Sequence, residues 1–246
     1  MDYVKLTHEN IRKEHICCAI AKDDDVKVVT KKSYLGNMMD RGLVFLKADA
    51  RGKCFIEYLP ADVSLFPVSA PGYMHVSCFW VSGSLKGHGY GSELLEACIR
   101  DAREKGFCGL TCISSERKKP FLSDPAFLKK HGFSVADRAA PNFDLLYLPF
   151  APDAPKPSFE HRHEAEKGFL LVYSDACPYT AEYVPETVKF FRDRGVELRV
   201  RKIESHEDAL SSPAVWTTFS LFKDGRLITH EILNEKKAEK LLKDYL

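Results

Sequence analysis

The chain has 246 residues, a formal net charge of +1 and 45% apolar residues. That length allows one large or two smaller domains with a real core, and the near-zero charge provides no field to attract nucleic acid or an anionic membrane. No apolar run approaches the roughly 18–20 residues of a membrane span, and the opening MDYVKLTHENIRKEH is too polar for a signal peptide.

In chain order, a short strand DYVKL leads to a helix opened by Thr7 or Asn10, then to a second helical stretch at TKKSYLGNMMDRG. LVFLKADARG and KCFIEYL are β-prone and predict a hairpin turning at residues 49–52. A loop with Pro67 and Pro71 precedes a strand over residues 73–82, a glycine-rich loop and a helix over residues 91–105. GFCGLTCISS is a further strand. The next helix, SDPAFLKKHGF, is capped by Ser123 or Asp124, carries Pro125 in its first turn and stops at Gly132. NFDLLYLPF is the last strand of an α/β pattern with hairpins and a crossover.

Proline recurs at 149, 152, 155 and 157, ahead of a charged stretch. Proline fixes φ and removes a donor, so this segment predicts a connection and a boundary near residue 155. The expected domains are residues 1–152 and 168–246, with a linker over 153–167. Beyond the linker the order reads β-α-β-α-β-β-α, with a helix stopped by Gly195 and a hairpin turning at Asp224 and Gly225. The eight cysteines lack zinc-ligand spacing and secretory context. They read as reduced thiols of a cytoplasmic protein that holds no metal. Cys17 and Cys18 are adjacent and read as packing residues near the end of the first helix.

The chemistry concentrates in KGHGYG, at a strand-to-helix junction. The dinucleotide fingerprint G-x-G-x-x-G fails because its last position is Ser92, and no Gly-Lys-Ser/Thr follows for a nucleotide P-loop. What remains is K-x-x-G-x-G at a helix N-terminus, where unpaired N–H groups and the helix dipole favour a phosphate or pyrophosphate. A glycine-rich turn made for tight strand–helix packing is the alternative.

The run FWVSGSLKGHGYGSELLEACI resembles the acetyl-CoA loop of the GNAT superfamily of N-acetyltransferases, whose pattern is Q/R-x-x-G-x-G/A. Lys86 stands where arginine or glutamine is usual, and Gly89 and Gly91 match. With HICCAI, FIEYLP and KKPFLSD, the chain is similar to the YoaP-type acetyltransferases, which carry a small C-terminal module. The resemblance implies a GNAT mixed-sheet acyltransferase domain, α/β (α+β) in class, with acetyl-CoA as co-substrate. The amides of Gly87, His88, Gly89, Tyr90, Gly91 and Ser92, beside Lys86, would hold the CoA pyrophosphate. The backbone of Phe79, Trp80 and Val81 would bond the pantetheine arm. The family also implies an amine acceptor, either a small molecule or a peptide, and a homodimer as one assembly.

Transfer to an amine needs a proton acceptor, and a donor for the leaving thiolate. Leu128 occupies the position where many family members carry a tyrosine acid. His75 falls where some relatives place a catalytic glutamate, and strand alternation would put His75, Ser77, Phe79 and Val81 on one face. Glu57 is the second candidate base, and each has a packing or surface role as its alternative. Tyr58 and Tyr90 are candidate donors. ERKKP, residues 116–120, could attract the CoA 3′-phosphate or form a solvated charge run.

In the second domain, C-P-Y-T resembles the C-P-Y-C site of glutaredoxins within a thioredoxin-like βαβαββα order. Thr180 replaces the resolving cysteine, and Thr217 stands where that family has a cis-proline. Two readings follow for Cys177: a reactive monothiol, or a residue of a docking or lid scaffold. The sequence thus predicts an acetyl-CoA-dependent N-acetyltransferase working by direct attack in a ternary complex. The alternatives are an acyl-CoA-binding scaffold and a monothiol redox protein acting through Cys177.

Overall fold

The computed structural model describes residues 1–161, 166–243 and 245. Residues 162–165 of the expected linker lie outside the described residues. The chain forms two compact units. The first comprises Met1–Ile20, Lys32–Ser64 and Val68–Glu160; the second comprises Ala21–Lys31, Leu65–Pro67 and His161–Leu246. The division expected in chain order is therefore crossed at two short segments.

The first unit is built on a seven-stranded sheet, in the order β1-β2-β3-β5-β6-β8-β7. Its strands are β1 (Tyr3–Lys5), β2 (Val44–Ala48), β3 (Cys54–Pro60), β5 (Tyr73–Val81), β6 (Gly109–Ser114), β7 (Ser134–Ala139) and β8 (Phe143–Pro149). A two-residue strand β4 (Val68–Ser69) pairs with β9 (Ser158–Phe159), which lies within the segment expected to be an extended linker. All neighbours in the large sheet run antiparallel except β5 and β6. That one parallel pair needs a crossover, and helix α2 (Tyr90–Glu104) supplies it. Leu94, Leu95, Cys98 and Ala102 of α2 are fully buried against Ile56, Tyr58, Met74, Val76 and Phe79 of the sheet.

Helix α3 (Pro125–Lys130) starts at Asp124, whose carboxylate accepts from the amides of Ala126 and Phe127. This resolves the choice of cap between Ser123 and Asp124. The helix expected to open at Thr7 or Asn10 is instead a run of turns. The Asn10 side chain accepts from the Thr7 amide and donates to the Lys5 carbonyl, which holds the backbone in a local turn rather than a helix. Cys17 and Cys18 consequently follow turns, with Cys17 buried. The helix that does form, α1 (Val26–Met39), begins earlier than its sequence pattern suggests; the Asp25 carboxylate accepts from the Lys27 amide at its start.

The second unit carries a four-stranded sheet in the order β11-β10-β12-β13. Its elements are β10 (Phe169–Tyr173), α4 (Thr180–Arg192), β11 (Leu198–Lys202), α5 (His206–Leu210), β12 (Phe219–Lys223), β13 (Arg226–Thr229) and α6 (Glu235–Leu242). β10 runs parallel to β11 and antiparallel to β12. Asp224 (φ 50°) and Gly225 (φ 73°) make the two-residue turn between β12 and β13. Both are left-handed, as a hairpin turn that follows the strand twist requires. Phe169, Leu171, Phe190, Phe191, Phe219 and Leu221 form the core. Among the described residues, no helix is long and apolar enough to cross a membrane.

Candidate functional site

The site starts from an extra residue in β5. Glu57 pairs with Cys78 and Tyr58 pairs with Val76, so Ser77 has no partner of its own on β3 and forms a bulge. The bulge reverses the alternation. Met74 and Val76 pack toward α2 before it, and Phe79 and Val81 pack toward α2 after it. The expectation that His75, Ser77, Phe79 and Val81 share one face is thereby corrected.

The bulge also parts two strands. β5 pairs with β6 only from Tyr73–Gly109 to Val76–Cys112. Beyond that point β5 continues along β3 to Val81, while β6 continues along β8 to Ser114. A wedge opens between them. The Ser82 amide donates to the Lys53 carbonyl at 2.8 Å, so by alternation the peptide groups of Phe79 and Val81 face away from β3 and into the wedge. Trp80 pairs with Phe55 on the other side of the strand. Phe79 packs edge-to-face against Phe127 of α3, with ring centroids 5.4 Å apart.

From the wedge the chain passes a 3-10 turn (Gly83–Leu85) into the glycine loop. Gly87 (φ 81°) and Gly89 (φ 83°) are both left-handed, and a Cβ at either would meet nothing within 4 Å. Their need for glycine is therefore conformational, and the space beside them is open. This disfavours the packing-turn alternative, in which the missing Cβ atoms would abut a neighbour. Gly89 is the N-cap of α2 and offers no side chain to its first amides. Those of Tyr90, Gly91 and Ser92 are left to a ligand or water. Lys86 and His88 are exposed, and the His88 ring stacks on Tyr90 at 5.5 Å. Gly91 is different: its Cβ would stand 3.4 Å from the Phe127 ring.

Both candidate bases are buried, each 1% exposed, on the sheet face opposite α2. Glu57 lies beside the bulge, and its Oε1 accepts from Ser77 Oγ at 2.9 Å. His75 lies on the paired part of β5, with Nδ1 3.0 Å from Thr111 Oγ1. Tyr58 is buried against α2, where its hydroxyl donates to Asp101 at 3.0 Å. Burial first, then the charges around it, raise that phenol far above its ordinary value. Leu128 is fully buried in the same cluster, so nothing at that position can give up a proton. Lys118 of the basic run is paired with Asp124 at 2.5 Å.

Sequence reasoning placed Ser77 in regular alternation, because nothing in the local sequence signals a bulge. It missed His131, whose Nε2 lies 2.9 Å from Ser92 Oγ in the first turn of α2. Its i, i+4 spacing from Phe127 was the available clue. In the second unit, Cys177 is half-buried just ahead of α4. The Thr180 hydroxyl reaches the carbonyls of Cys177 (2.6 Å) and Ser174 (2.9 Å), so the position of a resolving thiol is taken up by a backbone lock. Thr217 is buried, with its hydroxyl on the Leu65 carbonyl. Among the described residues no group of acidic, histidine or cysteine side chains could hold a metal ion.

Residues 31–133 match the model of the "Acetyltransferase (GNAT) family", and residues 198–240 match "YoaP-like". The "Uncharacterized N-acetyltransferase YoaP" of Bacillus subtilis (strain 168) is 40% identical over 247 residues, covering 98% of both chains. Two solved structures are more distant. The PaiA N-acetyltransferase of Thermoplasma acidophilum, in complex with coenzyme A, is 16% identical with a TM-score of 0.42 and covers 61% of this chain and 100% of its own. A GNAT family acetyltransferase of Brucella melitensis, in complex with acetyl-CoA, is 16% identical with a TM-score of 0.39 and covers 63% and 91%. On its identity to the Bacillus protein along nearly its whole length, this chain belongs to the GNAT family of N-acetyltransferases, in its YoaP-like branch.

Proposed function

We propose that this N-acetyltransferase acts by direct transfer to a small-molecule or peptide amine, with the wedge and the glycine loop as the site of acetyl-CoA. The observation that carries this reading is their continuity: the strand that opens at Ser77 leads straight to the uncapped start of α2. Acetyl-CoA, the co-substrate of the family, supplies the activated acetyl group. The donor set fits it. Bare amides from Gly87 to Ser92 and the exposed Lys86 suit a pyrophosphate. The wedge-facing peptides of Phe79 and Val81 suit an amide-bearing arm, and fixed backbone donors can polarise a carbonyl without reorganisation.

Of the two candidate bases, Glu57 fits the role better. It lies on β3 opposite the bulge, where the Ser77 hydroxyl donates to its carboxylate just past the last β5–β6 pair. His75 is engaged with Thr111 where β5 and β6 are still paired. Glu57 would take the proton that the attacking amine must lose. For the second unit, the strand order β11-β10-β12-β13 and the helix positions support a thioredoxin-like fold. The Thr180 lock supports a scaffold role for it rather than thiol redox.

Calorimetric titration with acetyl-CoA tests the core of the proposal. Saturable binding is expected for the wild type and its loss for Gly89→Asp, which puts a carboxylate among the loop amides. No binding by folded wild type would sink the assignment of the loop. Once binding is established, CoA release with a panel of amines identifies the acceptor class.

A further inference from the structure

The bond between Ser92 and His131 has a direction that the ring's other nitrogen determines. His131 Nδ1 lies 2.9 Å from the carbonyl oxygen of Phe127, one turn earlier in α3. A carbonyl only accepts, so Nδ1 carries the proton. In the neutral ring Nε2 then has a lone pair, and at 2.9 Å the Ser92 hydroxyl must be the donor. The ring is held in this pose by the Phe127 ring, with centroids 4.2 Å apart. Ser92 thus turns its proton toward His131 and its lone pairs toward the other directions around Oγ. It does so in the first turn of α2, beside the amides that face the glycine loop.

An anion at that helix start would meet an oxygen offering lone pairs instead of a proton. Protonation reverses the arrangement. One proton from solvent on Nε2 makes that nitrogen a donor to Ser92 Oγ and releases the hydroxyl hydrogen to the anion. The imidazolium adds a positive charge at the same time. We propose that His131 is a positioning residue for acetyl transfer: it sets the direction of the Ser92 hydroxyl and so couples binding of the CoA diphosphate to uptake of a proton by its imidazole. The inference rests on the assignment of the loop to the pyrophosphate.

Other charged groups lie near this pair on each element involved. From α2 come Glu93, whose carboxylate accepts from the Tyr3 hydroxyl at 2.6 Å, and the exposed Glu96, one turn beyond Ser92. The loop brings Lys86 and His88. α3 brings Lys129 and Lys130, and at its start Asp124 is paired with Lys118. His88 is the second imidazole near the anion and needs its own control.

The test is calorimetric titration of the full chain with coenzyme A near neutral pH, in two buffers of different ionisation enthalpy. Wild type is expected to take up protons on binding, up to about one per CoA, and its Kd should fall by up to about tenfold per unit of falling pH. His131→Gln can still accept from Ser92 but cannot be protonated; it should bind CoA with the uptake lost. Ser92→Ala, an independent variant that leaves the imidazole in place, should reduce the uptake. His88→Gln should retain it. Uptake that persists in His131→Gln, or disappears only in His88→Gln, would overturn the inference while leaving the loop assignment intact. Absence of CoA binding by folded wild type overturns the loop assignment, and the inference with it.

Discussion

Gly89 and Gly91 look alike in the motif and differ in what they do. Gly89 needs a left-handed backbone with open space beside it, whereas Gly91 has no such constraint and lies against Phe127. Alanine at 89 should cost about 1 kcal/mol of stability and sharply weaken acetyl-CoA, because the methyl occupies the space left for the ligand. Alanine at 91 should leave the melting temperature unchanged or raise it, since it replaces a glycine inside a helix. Thermal melts with acetyl-CoA titrations check both. The two candidate bases separate in the same way. Glu57→Gln should lower kcat by about 10²–10⁴-fold with acetyl-CoA affinity kept. His75→Ala should cost about 1–3 kcal/mol of stability, because it removes a buried bond and leaves the Thr111 hydroxyl only its long contact to the Met74 carbonyl. It should leave the pH profile of kcat in place. A collapse of kcat with His75 alone would transfer the role.

At the scale of elements, α3 shows how a short helix is kept in register beneath the site. Asp124 caps it with two amide bonds and pairs with Lys118. The hydrogen bond from Lys118 leads the causes that hold this carboxyl below its ordinary value. A depressed carboxylate stabilises the fold above its unfolded value and loses that contribution as pH falls through the lowered folded value. Asp124→Ala should therefore destabilise by about 1 kcal/mol at neutral pH, and the gap to wild type should close in acid, as read from urea melts at both pH values.

Such caps are also why this helix could be read from sequence: Asp-Pro at its start and Gly132 at its end act within a few residues. The Asp224–Gly225 turn was legible for the same local reason. β7 was not. Its residues, SVADRA, mix polarities, and a register shift between Val135 and Asp137 breaks the period-two pattern that marks a strand. The helix anticipated at Thr7 or Asn10 failed because the same side chains that cap helices also close turns. Within the site, the glycine loop could be read from its spacing. The wedge-facing backbone followed from family resemblance alone, because the bulge that aims it depends on pairing with distant strands.

Over the whole molecule, each unit has its own buried core, and among the described residues Cys177 is the one thiol of the second. On the scaffold reading proposed above, acetyl transfer makes no use of this thiol. Cys177→Ser should leave the steady-state rate of CoA release unchanged; a marked loss would give the thiol a part in the reaction. The wider consequence concerns Ser77. The opening between β5 and β6 comes from the number of residues in a strand, not from the identity of any one of them. Substitution of Ser77 would remove its bond to Glu57 and leave the opening in place. Deleting its codon, with every other side chain retained, would restore plain alternation, with Phe79 and Val81 still on the α2 face and in register with β3, and let β5 zip along β6 across the gap. The cleft is written in the chain as a length, and only insertions and deletions can spell it differently.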